Sequence, residues 1–289
     1  MAAKIITIIT FTFIVLMPFN FLQGWGFKAH VRINSDAIDT LPVGMKAFFE
    51  EERVYISEHA VDADKWKSTD KKEFWRHFID MDLYGTYPFN ELPRDYDEAV
   101  KKFGADMVNI SGTLPWRIAE FTRKLADEMR EGDGEKIRIT AAALGHYVAD
   151  AHSPLHSVEN YNGQYTNNFG VHKQFESRMI DANMASYKPA LGKATSIDDP
   201  LNHAFDTMLH SYKLVIPILE SETEARKLLT TVQIDSLNDY RAKGIPAYLE
   251  VLYSDLGEIG WNQMNSASSD IGRYWATAWE LAGKPTLPE

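Results

Sequence analysis

Residues 137–178 read IRITAAALGHYVADAHSPLHSVENYNGQYTNNFGVHKQFESR. From Ile137 to Val148, apolar and small residues fall on most sides of a helical projection, which predicts a central, buried helix. His146 and Asp150 stand four apart in it, so both side chains leave one face a turn apart. Pro154 ends that helix, His156 follows at the start of a Gly/Asn-rich loop, and Gly170 closes the loop. A second helix then presents His172 and Glu176, again four apart. A carboxylate within a largely apolar helix is costly unless something pairs with it. A lone helical histidine is more often a core or surface residue than a ligand. Two His–carboxylate pairs with a further His between them point instead to a metal site, and imidazole with carboxylate suits zinc.

The same periodicity extends in both directions from this stretch. Ile118, Phe121, Leu125 and Met129 recur at steps of three and four, with Arg123, Asp127, Glu128 and Arg130 on other faces. Phe205, Met208, Leu209, Tyr212, Val215, Ile216 and Leu219 form one continuous stripe, and Ile271, Tyr274, Trp275 and Ala278 another. Turn chemistry marks loops at residues 84–93, 132–134, 160–170 and 190–200. Alternating strand patterns and internal repeats are not found. The expected fold is a single all-α, multi-helix domain.

The chain holds 289 residues, with 30 Lys+Arg against 41 Asp+Glu, nine His and no Cys. This composition excludes a disulfide scaffold, thiolate metal ligands and a cysteine nucleophile. The formal charge of −11 gives no basic field for collecting polyanions, which argues against duplex-specific nucleic-acid binding. At the N-terminus, Lys4 precedes the apolar or hydroxyl run from Ile5 to Met17, Pro18 and Asn20 break it, and Gly24 precedes Trp25. That layout predicts a signal peptide over 1–24, with export to the periplasm or medium and a mature domain over 25–289. The run is too short for a comfortable membrane span, and no later segment is long and apolar enough, so no transmembrane span is expected in the mature chain. Residues 1–24 carry Lys4 and no acid, so their removal would move the charge from −11 to −12. An exported chain without disulfides can be stapled by metal.

HYVAD, PLH and GVHKQFE together resemble the core motif of the zinc-dependent phospholipase C and S1/P1 nuclease superfamily. Two further segments fit in the right order: WGFKAH, with Trp25 and His30, and HAVDADKWK…WRHFID, with Asp64 and His77, Asp62 being the less favoured register. The matches run from Trp25 to Glu176; residues 177–289 resemble the family only in length and helicity. The resemblance implies three zinc ions. Asp64, His77, His146 and Asp150 would hold one, and His156, His172 and Glu176 a second with an open position. Trp25 through its main chain, His30 and a bridging Asp150 would hold the third. It further implies hydrolysis of a phosphodiester by metal-activated water, with Asp64 orienting or deprotonating that water. His59, His152, His203 and His210 are left over; His152, nearest the cluster, could orient a ligand.

The two branches of that family differ in detail. Glu176 and the sixteen-residue step from His156 to His172 are phospholipase-like, whereas the WGFKAH spacing and HFID look nuclease-like. Lys28 and Lys65 depart from the choline-preferring enzymes. Phe27, Trp66, Phe74 and Tyr161 could line a lipid or a base pocket, or simply pack. The balance favours a phospholipase C-like enzyme acting on phospholipid; the alternatives are an S1/P1-type nuclease acting on single-stranded DNA or RNA, and a zinc-stabilised binding protein without turnover.

Overall fold

The computed structural model describes residues 25–237, 239 and 243–288. The signal peptide expected over 1–24 lies outside the described residues. Among the described residues every regular element is helical, as the periodicity predicts. The six main helices are α1 (Phe27–Asp39), α2 (Leu114–Glu131), α3 (Gly134–Ala151), α4 (Pro200–Tyr212), α5 (Val215–Arg226) and α6 (Pro246–Leu281).

α3 is the axis around which the others pack. Asp133 caps its start by accepting the Lys136 amide at 3.1 Å, and left-handed Gly132 (φ 72°) turns the chain back from α2, so the two run as an antiparallel pair. Small residues let neighbours approach closely: Ala141, Ala142, Ala143 and Gly145 are all buried. A Cβ on Gly145 would come within 2.4 Å of Asn34 Oδ1, so α1 and α3 meet there at nearly backbone contact. Polar groups on the surrounding elements bond to α3 carbonyls. Asn34 donates to Ala142 at 3.1 Å, Trp275 to Ala141 at 3.1 Å, and Trp25 to Ala149 at 3.0 Å. α1, α2 and α6 thereby enclose α3, and its C-terminal turn ends in the middle of the molecule.

The structure adds detail to three of these segments. The stripe from Phe205 to Leu219 is two helices, because the chain turns at Lys213 and Leu214 between α4 and α5. The motif near Trp275 is the end of a 36-residue helix that starts at Pro246. The segment carrying His172 and Glu176 is α-helical only over Val171–Lys173, then widens to a π-helix over Gln174–Met179. That wider turn is a feature found disproportionately at functional sites. No helix among the described residues is long and apolar enough to cross a membrane.

Candidate metal centre

The residues singled out at the end of α3 converge with others far away in sequence. Asp150, fully buried, lies at the middle. Its Oδ2 is 2.9 Å from His77 Nδ1 and 3.2 Å from His146 Nε2, and its Oδ1 is 3.4 Å from His30 Nε2 and 3.9 Å from His156 Nδ1. Asp64 Oδ1 stands 3.7 Å from His77 Nδ1 and 3.8 Å from His146 Nε2. Beyond them His172 Nε2 is 2.6 Å from Glu176 Oε2 and 3.2 Å from His156 Nε2. Three sets, each with donor atoms within 4.8 Å of one another, result: His30, His146 and Asp150; Asp64, His77 and His146; His156, His172 and Glu176.

Outer contacts orient several of these rings. His146 Nδ1 donates to the Ala60 carbonyl at 2.8 Å and His156 Nδ1 to the His77 carbonyl at 2.6 Å, which leaves each Nε2 lone pair facing the cluster. Ser153 donates a short hydrogen bond to Glu176. His77 presents Nδ1 to Asp150 and turns Nε2 toward Glu73 Oε1, 3.4 Å away. Glu73 is itself fixed by Tyr147, by Arg76 at 2.7 Å and by Arg117 at 3.2 Å. Burial alone would raise the Glu73 carboxyl, but His77, Tyr147 and the two arginines hold it down at about 2, so it is an anion.

The donor set fits a cluster of divalent metal. His30 Nδ1 and Nε2, Asp64 Oδ2, Asp150 Oδ1 and Glu176 Oε2 are buried without a hydrogen-bond partner, which a protein rarely tolerates unless an ion or water completes them. Burial would raise the Asp150 carboxyl, yet the His146 and His156 imidazoles outweigh it and hold it well below the usual range. Burial, reinforced by His146, pushes His30 down and favours the neutral, ligating ring. Lys67 Nζ is 2.6 Å from Asp64 Oδ1, adding a fixed cation at one edge. Asp64 and His172 keep a slight exposure while Asp150 and His146 have none, so solvent reaches the cluster from that edge.

Asp62 faces outward, 2.6 Å from Lys65 and 2.6 Å from His59, while Asp64 faces in. Trp25 is fully buried, and Gly26 N donates to the Glu176 carbonyl at 3.1 Å, so the start of the described chain is pinned beside the cluster. His152 turns away: its Nε2 meets Asp270 Oδ2 at 3.1 Å, a carboxylate that also receives His203 at 2.9 Å and Arg273 at 2.9 Å. Asp270 thus ties this second imidazole group together, while His152 Nδ1 is left buried without a hydrogen-bond partner. Tyr161 packs edge-on against His172 with centroids 5.6 Å apart, and Phe27 is 44% exposed, so these two of the four aromatics stand at the accessible side or open to solvent. Phe74 packs on Phe78 and Trp66 on the core. Glu73 was missed from the sequence, although it stands four residues before His77, the spacing that drew attention to the other pairs.

No family model matches the chain. A probable serine protease of Bradyrhizobium tropiciagri is 24% identical over 186 residues, a match that takes in 58% of this chain and 23% of that protein. The solved alpha toxin of Clostridium absonum is similar at a TM-score of 0.49 and 11% identity, over 89% of this chain and 64% of that one. The chain thus spans less than two thirds of the length of either protein.

Proposed function

We propose that this chain is an exported zinc-dependent phosphodiesterase of the phospholipase C-like kind. The observation that carries the reading is the meeting of five imidazoles and three carboxylates, buried Asp150 at their centre, with several donor atoms left without protein partners. His30 and Asp150, with the Trp25 main chain if export frees it, would form one site. Asp64, His77, His146 and Asp150 would form the second, and His156, His172 and Glu176 the third. Zinc held there would supply Lewis acidity toward a phosphoryl oxygen and bring the pKa of bound water toward neutrality. Asp64, held as a carboxylate by Lys67 and by the imidazoles of His146 and His77 against its burial, would orient that water and accept its proton. The buried rings of His30, His77, His146 and His156 exclude bulk solvent from one side. Tyr161 gives the accessible side an apolar face for a substrate.

The name of the Bradyrhizobium relative supplies no competing nucleophile. Among the described residues no serine hydroxyl is hydrogen-bonded to a histidine; Ser153 serves Glu176 instead. The test is hydrolysis by the purified zinc-loaded protein of a phospholipid emulsion, p-nitrophenyl phosphorylcholine, and single-stranded DNA and RNA. Lipid hydrolysis supports the phospholipase-like branch, and nucleic-acid cleavage without it replaces that branch by the nuclease. Zinc binding with neither activity leaves a metal-stabilised binding protein and refutes the enzyme.

A further inference from the structure

Among the described residues, 177–289 supply no member of the three metal-binding sets. Two helices from that part of the chain, α4 and α6, nevertheless grip the turn on which members of two sets hang. The turn leads from the end of α3 at Ala151 into the short 3₁₀ helix Pro154–Ser157. Asp150 stands at its head and His156 near its end, and between them Ser153 donates to Glu176. We propose that Asp270 and Gln263 are positioning residues for the metal centre: by holding His152, they fix the turn that places His156 and Glu176 for their ion. The proposal rests on the metal-centre reading above and extends it to helices that carry no ligand.

The last carbonyls of a helix have no intrahelical donors and must find partners elsewhere. Here side chains of other helices supply them. Ser211 of α4 donates to the Ala151 carbonyl at 2.7 Å, and Gln263 of α6 donates to the His152 carbonyl at 2.6 Å. Gln263 and Ser211 are themselves 3.4 Å apart, so the two helices close on the turn together. The His152 side chain adds a third tether, its Nε2 donating to Asp270 Oδ2 at 3.1 Å. His152 Nδ1 has no partner, so Asp270 holds that ring alone. Asp270 is fixed in turn by His203 of α4 and by Arg273, each at 2.9 Å. Burial would raise its carboxyl, but the bonds from His152 and His203 hold it well below the usual range, so it is an anion. His152, Ser211, Gln263 and Asp270 are all buried, which keeps water from replacing these contacts.

The geometry makes the effect selective. His146 lies a turn further back in α3, with its ring held by the Ala60 carbonyl at 2.8 Å. His30, Asp64 and His77 come from segments before α2. Loosening the turn therefore leaves those ligands in place and displaces His156 and Glu176. His156 keeps its own bond to the His77 carbonyl at 2.6 Å, so the ion set loses precision and keeps its donors. Metal sites need their ligands held to a fraction of an ångström by the residues behind them.

Zinc affinities of wild type, Asp270→Leu and Gln263→Met are compared by chelator competition, with the visible spectrum of the cobalt(II)-substituted protein as a second readout. Leu keeps the bulk of Asp270 but accepts nothing from His152, and Met keeps the length of Gln263 but donates nothing to the His152 carbonyl. Far-UV circular dichroism at the assay temperature checks that each variant is folded. The expected result is that one zinc ion per chain weakens about tenfold in each folded variant while the rest keep wild-type affinity. The cobalt spectrum should change by the share of one ion. Residues that merely stabilise the fold would lower the melting temperature and leave the affinities and cobalt spectrum of the folded protein as in wild type. That result overturns the proposal, as does equal weakening of every ion. If Asp270→Leu does not fold, Gln263→Met decides alone. Wild type that binds no zinc refutes the metal centre and the proposal with it, whereas zinc-binding variants indistinguishable from wild type refute the proposal alone.

Discussion

Replacing Asp150 by Asn changes one oxygen to an amide at the point where the metal-binding sets join. Asp150 places its two oxygens within 3.4 Å of nitrogens of His30, His77 and His146, which belong to two of the three sets. Loss of a contact that merely orients a metal-bound histidine lowers metal affinity about 10- to 100-fold. Asp150 would itself be a ligand and supplies the negative charge, so its loss should weaken each of the two sets at least 100-fold, about 2.7 kcal/mol apiece. The third set, His156, His172 and Glu176, keeps its own carboxylate. Elemental analysis after dialysis against weak chelator should therefore fall from three zinc ions per chain toward one, with phosphodiester hydrolysis lost. The metal-free variant should be less stable as well. Three buried imidazole nitrogens lose their anionic partner, at a cost of about 3 kcal/mol. Retention of three tightly held ions by Asp150→Asn would refute the bridging role.

Three further changes probe the surroundings. Glu73→Gln keeps the shape behind His77 but removes the charge, so zinc affinity measured by chelator competition should drop about tenfold or more, with helical content unchanged. Gly145→Ala drives a methyl against Asn34, whose donated bonds to Ile56 and Ala142 would be disturbed, and should cost about 1–3 kcal/mol in denaturant unfolding. Burial beside Asp82 and Glu159 pushes the Asp80 carboxyl up to about 8. The unfolded chain releases that proton above about pH 4 and the folded chain keeps it to about pH 8, so stability is lost as pH rises through that window. Asp80→Asn abolishes this loss. Its unfolding free energy in denaturant should match wild type near pH 4 and exceed it near pH 8, by about 1–3 kcal/mol because the side chain is partly exposed.

The helical class was legible because α3 and its neighbours carry unbroken three- and four-step periodicity. The His146–Asp150 and His172–Glu176 pairs were legible for the same reason, since helical spacing sets two donors on one face. What joins them was not. The approach of α1 and α3 at Gly145 depends on the missing side chain and on Asn34, residues with no periodic signature. The division of residues 205–219 at Lys213 is a tertiary turn inside an apolar stripe that one longer helix would produce equally well. Glu73 has the right spacing from His77, but Lys71–Arg76 form a 3₁₀ turn, and the role of Glu73 rests on Arg76, Arg117 and Tyr147, the last two from other elements.

Titration of chelator-stripped protein with zinc, while hydrolysis of p-nitrophenyl phosphorylcholine or bis(p-nitrophenyl) phosphate is followed, tests the central claim most directly. The account predicts no turnover without metal and a rise in activity that levels off at three equivalents per chain. Saturated zinc binding with no hydrolysis, or undiminished hydrolysis by metal-free protein, would contradict it.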